Sequence, residues 1–597
     1  AEGSSASAEI EDLRNALAVQ QAQFVEDLET RDRVYAEEIA TYRQAVEDIA
    51  ATPEGLAALE RFNAGEEAEA LAILDSLRAV RDLAAARRIS QLALDAWRRS
   101  KVSTLSVIER YEEITVLDPD VFGDWIELTR LRVIAGDLEA GLLSARAAQS
   151  VATNDREQSV AFEDIGNIGF RQGDLDAALS AYTRGLEIRE PLALADPSNA
   201  QAQRDVYVSL IKVGDVRRAQ GDLDAALSAY TRGLEIAERL ALADPSNAEA
   251  QRDVYVLLIK VGDVRAAQGD LDAALSAYTR GLEIAERLAL ADPSNAQAQR
   301  DVSVSLNKVG DVRVAQGDLD AALSAYTRGL EIREPLALAD PSNAQAQRDV
   351  SVSLNKVGDV RRAQGDLDAA LSAYTHGLEI AERLTLADPS NAEAQRDVSV
   401  SLDKVGDVRV AQGDLDAALS AYTRGLEIAE RLALADPSNT EAQRDVSVSL
   451  NKVGDMRAAQ GDLDAALSAY TRGLEIRERL ALADPSNAEA QRDVSVSLNK
   501  VGDVRAAQGD LDAALSAYTH GLEIAERLAL ADPSNAQAQR DVWVSLWRIQ
   551  QFPDSGVFWS DIVIKMEAMQ RDGTLFQPDV RFLEHAKQQA REDEAKP

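Results

Sequence analysis

Between Pro197 and Asp244 the apolar residues fall into two runs. The first passes through Val206, Leu210 and Val213 to about Ala219. The second passes through Leu223, Ala226, Leu227, Tyr230, Leu234, Ala237 and Ala241. Steps of three and four put each run on one side of an α-helix. Gly221 breaks the first run, Asp222 is placed to cap the second, and Pro245 ends it because proline cannot continue a helix. Ser198 and Gln201 have the spacing of a capping box, with Ser198 at the N-cap. Val302-Ser303-Val304-Ser305-Leu306 alternates like a strand, but so short a stretch inside a capped helical window does not outweigh the longer pattern.

This two-run unit recurs. Gly-Asp-Leu-Asp-Ala-Ala-Leu-Ser-Ala-Tyr begins at Gly173, Gly221, Gly269, Gly317, Gly365, Gly413, Gly461 and Gly509, every 48 residues without insertion or deletion. A fixed period of this size marks units stacked into a solenoid. The pattern predicts eight near-identical units over 154–535. Degenerate units precede them over 51–153, where Tyr111, Asp118-Pro119, Trp125 and Gly136-Asp137-Leu138 keep parts of the repeat. Residues 1–50 carry Ile10, Leu13, Leu17, Phe24, Leu28, Tyr35, Ile39, Tyr42, Val46 and Ile49 at gaps of three, four or seven, which predicts one coiled-coil-like helix over 9–50. Residues 536–597 gather Trp543, Trp547, Phe552, Phe558 and Trp559, and read as a helical cap with a charged tail. Pro191 and Pro335 stand inside second helices and predict local bends there.

Leu210-x2-Val213-Gly214, Ala226-x3-Tyr230 and the late Pro245 resemble the signature of the tetratricopeptide repeat, an antiparallel helix pair. Arg217 departs from it, standing where the family usually has an aromatic, and so does the period of 48 against about 34. The surplus divides equally on either side of Pro245, lengthening each helix by two turns or about 10 Å. This is similar to long-helix members such as kinesin light chain.

The resemblance implies an all-α, right-handed superhelix whose first helices line a concave wall that holds an extended segment of a partner protein. Carried over, that wall would show Tyr207, Ile211, Lys212, Asp215 and Arg218, then Tyr255, Ile259, Lys260 and Asp263, then Asn307, Lys308 and Asp311. Further along it would show Asn355, Lys356 and Asp359, then Asp403, Lys404 and Asp407, then Asn451, Lys452 and Asp455, and last Asn499, Lys500 and Asp503. Each Lys and Asp lie three apart on one helix, so each pair is expected to be self-paired, worth about 0.2–0.5 kcal/mol. The apolar stretch of Tyr207, Ile211, Tyr255 and Ile259 is the expected docking place.

Composition narrows the function further. The chain has 102 acidic and 64 basic residues, a net charge of −38, which disfavours nucleic acid and anionic lipid as partners. No run approaches 18 apolar residues, so no membrane span is predicted. The absence of cysteine rules out disulfides and thiolate chemistry. His376 and His520 take the place of an arginine at an exposed helix position and read as neither base nor ligand. No phosphate loop, Ser-His-Asp set or metal-ligand spacing is present, so neither catalysis nor a cofactor is expected. The start Ala1-Glu2-Gly3-Ser4-Ser5, without Met, has the form left by signal-peptide cleavage and points to an exported (periplasmic or secreted) bacterial protein, the alternative being cytoplasmic. The expected function is a non-enzymatic protein–protein interaction scaffold. The alternative is a structural spacer or self-assembling repeat protein, a homo-oligomer joined through residues 9–50 or the solenoid ends.

Overall fold

Asn199 starts the first helix of the unit at Pro197, and its side chain accepts from the backbone N–H of Ala202 at 3.0 Å. The helix runs Ala200–Ala219 and the second helix Leu223–Ala243. Between them Gly221 takes φ +80°, which lets the N–H of Asp222 reach the carbonyl of Arg217 at 2.9 Å. Asp222 then caps the second helix by accepting from the N–H of Ala225. The expected capping box does not form. Ser198 is instead committed to the preceding turn, where its hydroxyl donates to Asp196 at 2.6 Å, and Gln201 turns forward to Asp205.

This computed structural model describes residues 57–58, 60–61, 64–66, 70, 83–99, 101–552 and 555–594. The coiled-coil-like helix expected over 9–50 lies outside them. All regular elements among these residues are helical. The chain divides into two compact units, one ending at Ala277 and the other starting at Tyr278.

The first unit contains shorter helices, Leu83–Arg98, Thr104–Leu117, Phe122–Ile134 and Leu138–Val151. Longer pairs follow, Asp155–Gln172 with Leu175–Ala195 and Ala200–Ala219 with Leu223–Ala243, and then Ala248–Ala267. In the second unit five pairs, from Ala296–Ala315 with Leu319–Ala339 to Ala488–Ala507 with Leu511–Ala531, repeat one geometry. Within each unit consecutive helices pack against each other, and an apolar stripe can be shared by three helices. Leu426 and Ala429 of one second helix meet Val446 and Leu450 of the next first helix and Ala469 of the helix after it. Val302-Ser303-Val304-Ser305 is helical, and the buried serine hydroxyls bond back to Arg300 and Asp301 carbonyls.

Gly214 shows how closely the two helices of a pair approach. A Cβ there would lie 2.5 Å from Cε1 of Tyr230, a ring with no exposed surface. Pro191 and Pro335 do not end their helices, which keep the 21-residue length of their proline-free counterparts. Both prolines are exposed, so the carbonyl deprived of its N–H partner faces water. The closing bond from Asp340 N–H to the Leu336 carbonyl is 3.4 Å, against 3.0–3.2 Å in the proline-free helices.

The last helices, Ala536–Gln550, Trp559–Arg571 and Val580–Glu594, enclose a cluster in which Trp543 stacks on Phe582 at 5.0 Å around buried Ile562, Met566 and Leu583. A guanidinium–carboxylate pairing recurs between successive first helices, Arg300 to Asp349 and Arg492 to Asp541. It is made once more by Arg540, whose two bonds reach buried Asp579 at 2.7 and 3.1 Å. The chemistry of the repeat thus continues past the end of its sequence pattern.

Candidate interaction wall

The lysines and aspartates of the first helices form a ladder, but not within one helix as expected. Lys260 Nζ lies 2.7 Å from Asp215, one repeat back. Lys356–Asp311, Lys404–Asp359, Lys452–Asp407 and Lys500–Asp455 repeat the step at 2.5–2.6 Å, and Arg548–Asp503 closes it at 2.8 Å. Tyrosine sets this direction. Tyr230 of the second helix donates to Asp215 at 2.6 Å, and the equivalent bonds to Asp311, Asp359, Asp407, Asp455 and Asp503 are 2.5–2.8 Å. Each carboxylate is thereby held beside its own tyrosine, and the next lysine reaches it by passing over that ring, 5.0–5.6 Å from the centroid. Burial, and then the bonded carboxylate, push these tyrosine hydroxyls well above the ordinary phenol range.

Several residues expected on the wall are not surface groups. Tyr207 and Tyr255 are buried, so the expected apolar docking stretch keeps only half-buried Ile211 and Ile259. The Tyr207 hydroxyl is turned inward to Asp253 of the next repeat. Asn307, Asn451 and Asn499 are buried and Asn355 is half-buried, at the seam between first and second helices. Lys212, Asp215, Asp263 and Lys308 line the wall half-buried, and Arg218 is exposed.

The asparagine row has a partner that sequence reasoning missed. Arg189, Arg333 and Arg477, at 144-residue intervals, occupy the core position that is alanine in the other units, and are buried. Arg333 donates to the hydroxyls of Ser303 and Ser353 at 2.9 and 2.6 Å and to the Asp349 carbonyl at 3.0 Å. With its carboxamide oxygen turned to the guanidinium, Asn307 accepts from Arg333 at 2.9 Å. Glu163 takes the place of this asparagine for Arg189, at 2.7 Å. In units with alanine instead, Oδ1 of Asn355, Asp403 and Asn499 is buried without a hydrogen bond. Burial pushes the Asp403 carboxyl up to about 6, against the pull of Lys452.

One rung of the ladder is open. Where Asp215 would be expected one repeat earlier stands Asn167, whose Oδ1 accepts from Tyr182 at 2.9 Å. Lys212 therefore has no carboxylate at the rung position one repeat back. It lines an open cavity of about 490 Å³ together with Arg130, Arg171, Phe170, Ile134 and Tyr182. Asp164 also borders this cavity, with Oδ2 lacking a hydrogen bond and Arg130 3.9 Å away. Burial raises its pKa to about 6. The arrangement gathers three cations, the carboxylates of Asp164 and Asp215, and apolar edges at one place on the wall.

Residues 349–431 match the family described as tetratricopeptide repeat. Among solved structures, the chain is similar to the crystal structure of BtubC (BKLC) from P. vanneervenii, at 21% identity and TM-score 0.36, over 44% of this chain and 92% of that one. It is also similar to the apo form of RapI, at 13% identity and TM-score 0.35, over 53% and 99%. No curated protein matches the chain. The family-matched segment is one stretch of a pattern that recurs every 48 residues, each time as the same packed helix pair. The chain is a tetratricopeptide-like repeat protein, an all-α solenoid of long helix pairs.

Proposed function

We propose that the protein is a non-catalytic interaction scaffold that holds an extended segment of a partner protein along the first-helix wall and anchors it at the open rung. The supporting observation is the contrast between rungs. At Asp215, Asp311, Asp359, Asp407, Asp455 and Asp503 a lysine or arginine bound to the carboxylate leaves little charge to offer. At Lys212 the acid is missing and a cavity opens beside Arg130 and Arg171. A partner residue with an acceptor group would fill the place that Asp takes elsewhere, and the apolar rim of Ile134 and Phe170, both exposed, would take a flanking apolar side chain.

The test is capture from native lysate by the full chain and by an Asn167→Asp variant, which supplies the missing acid. Closing the rung is expected to reduce the captured partner at least tenfold while leaving the thermal midpoint unchanged or higher. Capture by Asn167→Asp and by Lys212→Met equal to that of the wild type would contradict the reading.

A further inference from the structure

The second helices carry an apolar row that the repeat core does not use. Leu290, Leu338, Leu386, Leu434, Leu482 and Leu530 occupy the same place in six successive second helices of the second unit, each between 76 and 82% exposed. The first unit carries the same leucine at Leu194 and Leu242, 77 and 78% exposed, so the position is kept in every copy of the repeat. In the first unit Val116, also two residues ahead of an Asp-Pro and within the otherwise divergent helix Thr104–Leu117, is 80% exposed. The adjacent core-side position, by contrast, has drifted to Thr385 in one unit.

We infer that this row is the contact face of a lateral dimer between two copies of the chain. A repeating apolar point at every unit needs a partner with the same spacing, and a second copy of the row has it. Area supports the same occupant. Burying a leucine is worth about 1.5–3 kcal/mol at about 25 cal/mol per Å², or roughly 60–120 Å² each. Six give roughly 360–720 Å², which brackets the apolar share, about 450 Å², of a standard interface of about 800 Å² per partner. The charge on each copy, −38, opposes association, so salt should strengthen it as the screening length falls from about 10 Å at 0.1 M to about 3 Å at 1 M.

Sedimentation of the full chain over a concentration series at low and high salt tests this, using wild type, Leu386→Glu/Leu434→Glu, and Leu17→Glu/Leu28→Glu, which alters only the N-terminal apolar seam. Wild type and the seam variant are expected to dimerise, more tightly at high salt. The row variant should sediment as a monomer, with a thermal midpoint equal to that of the wild type at dilutions where it too is monomeric, since both leucines face water in the single chain. A wild type that stays monomeric throughout overturns the inference. So does a row variant that dimerises as wild type does, or a seam variant that alone loses the dimer.

Discussion

Tyr374 donates to Asp359 at 2.6 Å, and this bond aims the carboxylate at Lys404 of the following repeat rather than at Lys356 of its own helix. The same relationship holds in each closed rung of the second unit from Tyr326 to Tyr518. A buried phenol next to a carboxylate resists ionisation.

That resistance has a pH consequence. The tyrosine pKa values are raised in the folded chain, above about 10 in the unfolded one. Their contribution is therefore complete below pH 10 and is lost as pH rises beyond it, because only the unfolded chain can then release the protons. In an alkaline titration, tyrosinate absorbance and loss of helical circular dichroism are expected to rise together above about pH 10. Early ionisation of most tyrosines with the helices intact would show that the hydroxyls are not held in this way.

Asp403 gives a prediction of the same sign nearer neutrality. Its folded pKa of about 6 exceeds that of an ordinary aspartate, so its contribution is present in acid and lost as pH rises from about 4 through 6. At pH 7.5 the buried charge should cost on the order of 2–3 kcal/mol. Asp403→Asn removes the charge and can donate to Ser449, as Asn355 does to Ser401 at 3.3 Å. The variant is expected to raise the urea midpoint at pH 7.5 and to differ little from wild type at pH 4. An equal shift at both pH values would mean that ionisation of Asp403 is not the cause.

Two glycines should respond differently to alanine. At Gly214 the added Cβ meets the Tyr230 ring at 2.5 Å, which should cost about 1–3 kcal/mol despite the better helix propensity of alanine. At Gly221 there is open space but φ is +80°, and the cost should be about 1 kcal/mol. Urea unfolding of the two variants checks the order, and a Gly214→Ala chain as stable as wild type would mean that the helices do not pack this closely.

The helix pairs were legible in the sequence because steps of three and four, Gly221 and Asp222 are local signals. The N-cap was misplaced by one residue because Asn199 and Ser198 are both good caps, and only the turn shows that Ser198 is already bonded to Asp196. Pairing along the wall was not legible. Spacing within a helix says that Lys212 and Asp215 can meet, but not that Tyr230 turns Asp215 toward Lys260. The buried arginines did leave a sign. Arg189, Arg333 and Arg477 stand where the apolar stripe has Ala237, and a charge at a core position needs polar partners such as Ser303 and Ser353.

A pair of double-mutant cycles, read by urea unfolding, tests the central claim that the wall is bonded from one repeat to the next. Lys404→Met with Asp359→Asn should show a coupling of about 0.5–1 kcal/mol, modest because both groups are partly exposed. Lys404→Met with Asp407→Asn, three residues apart on one helix, should show coupling near zero. Coupling in the second cycle and none in the first would contradict the ladder.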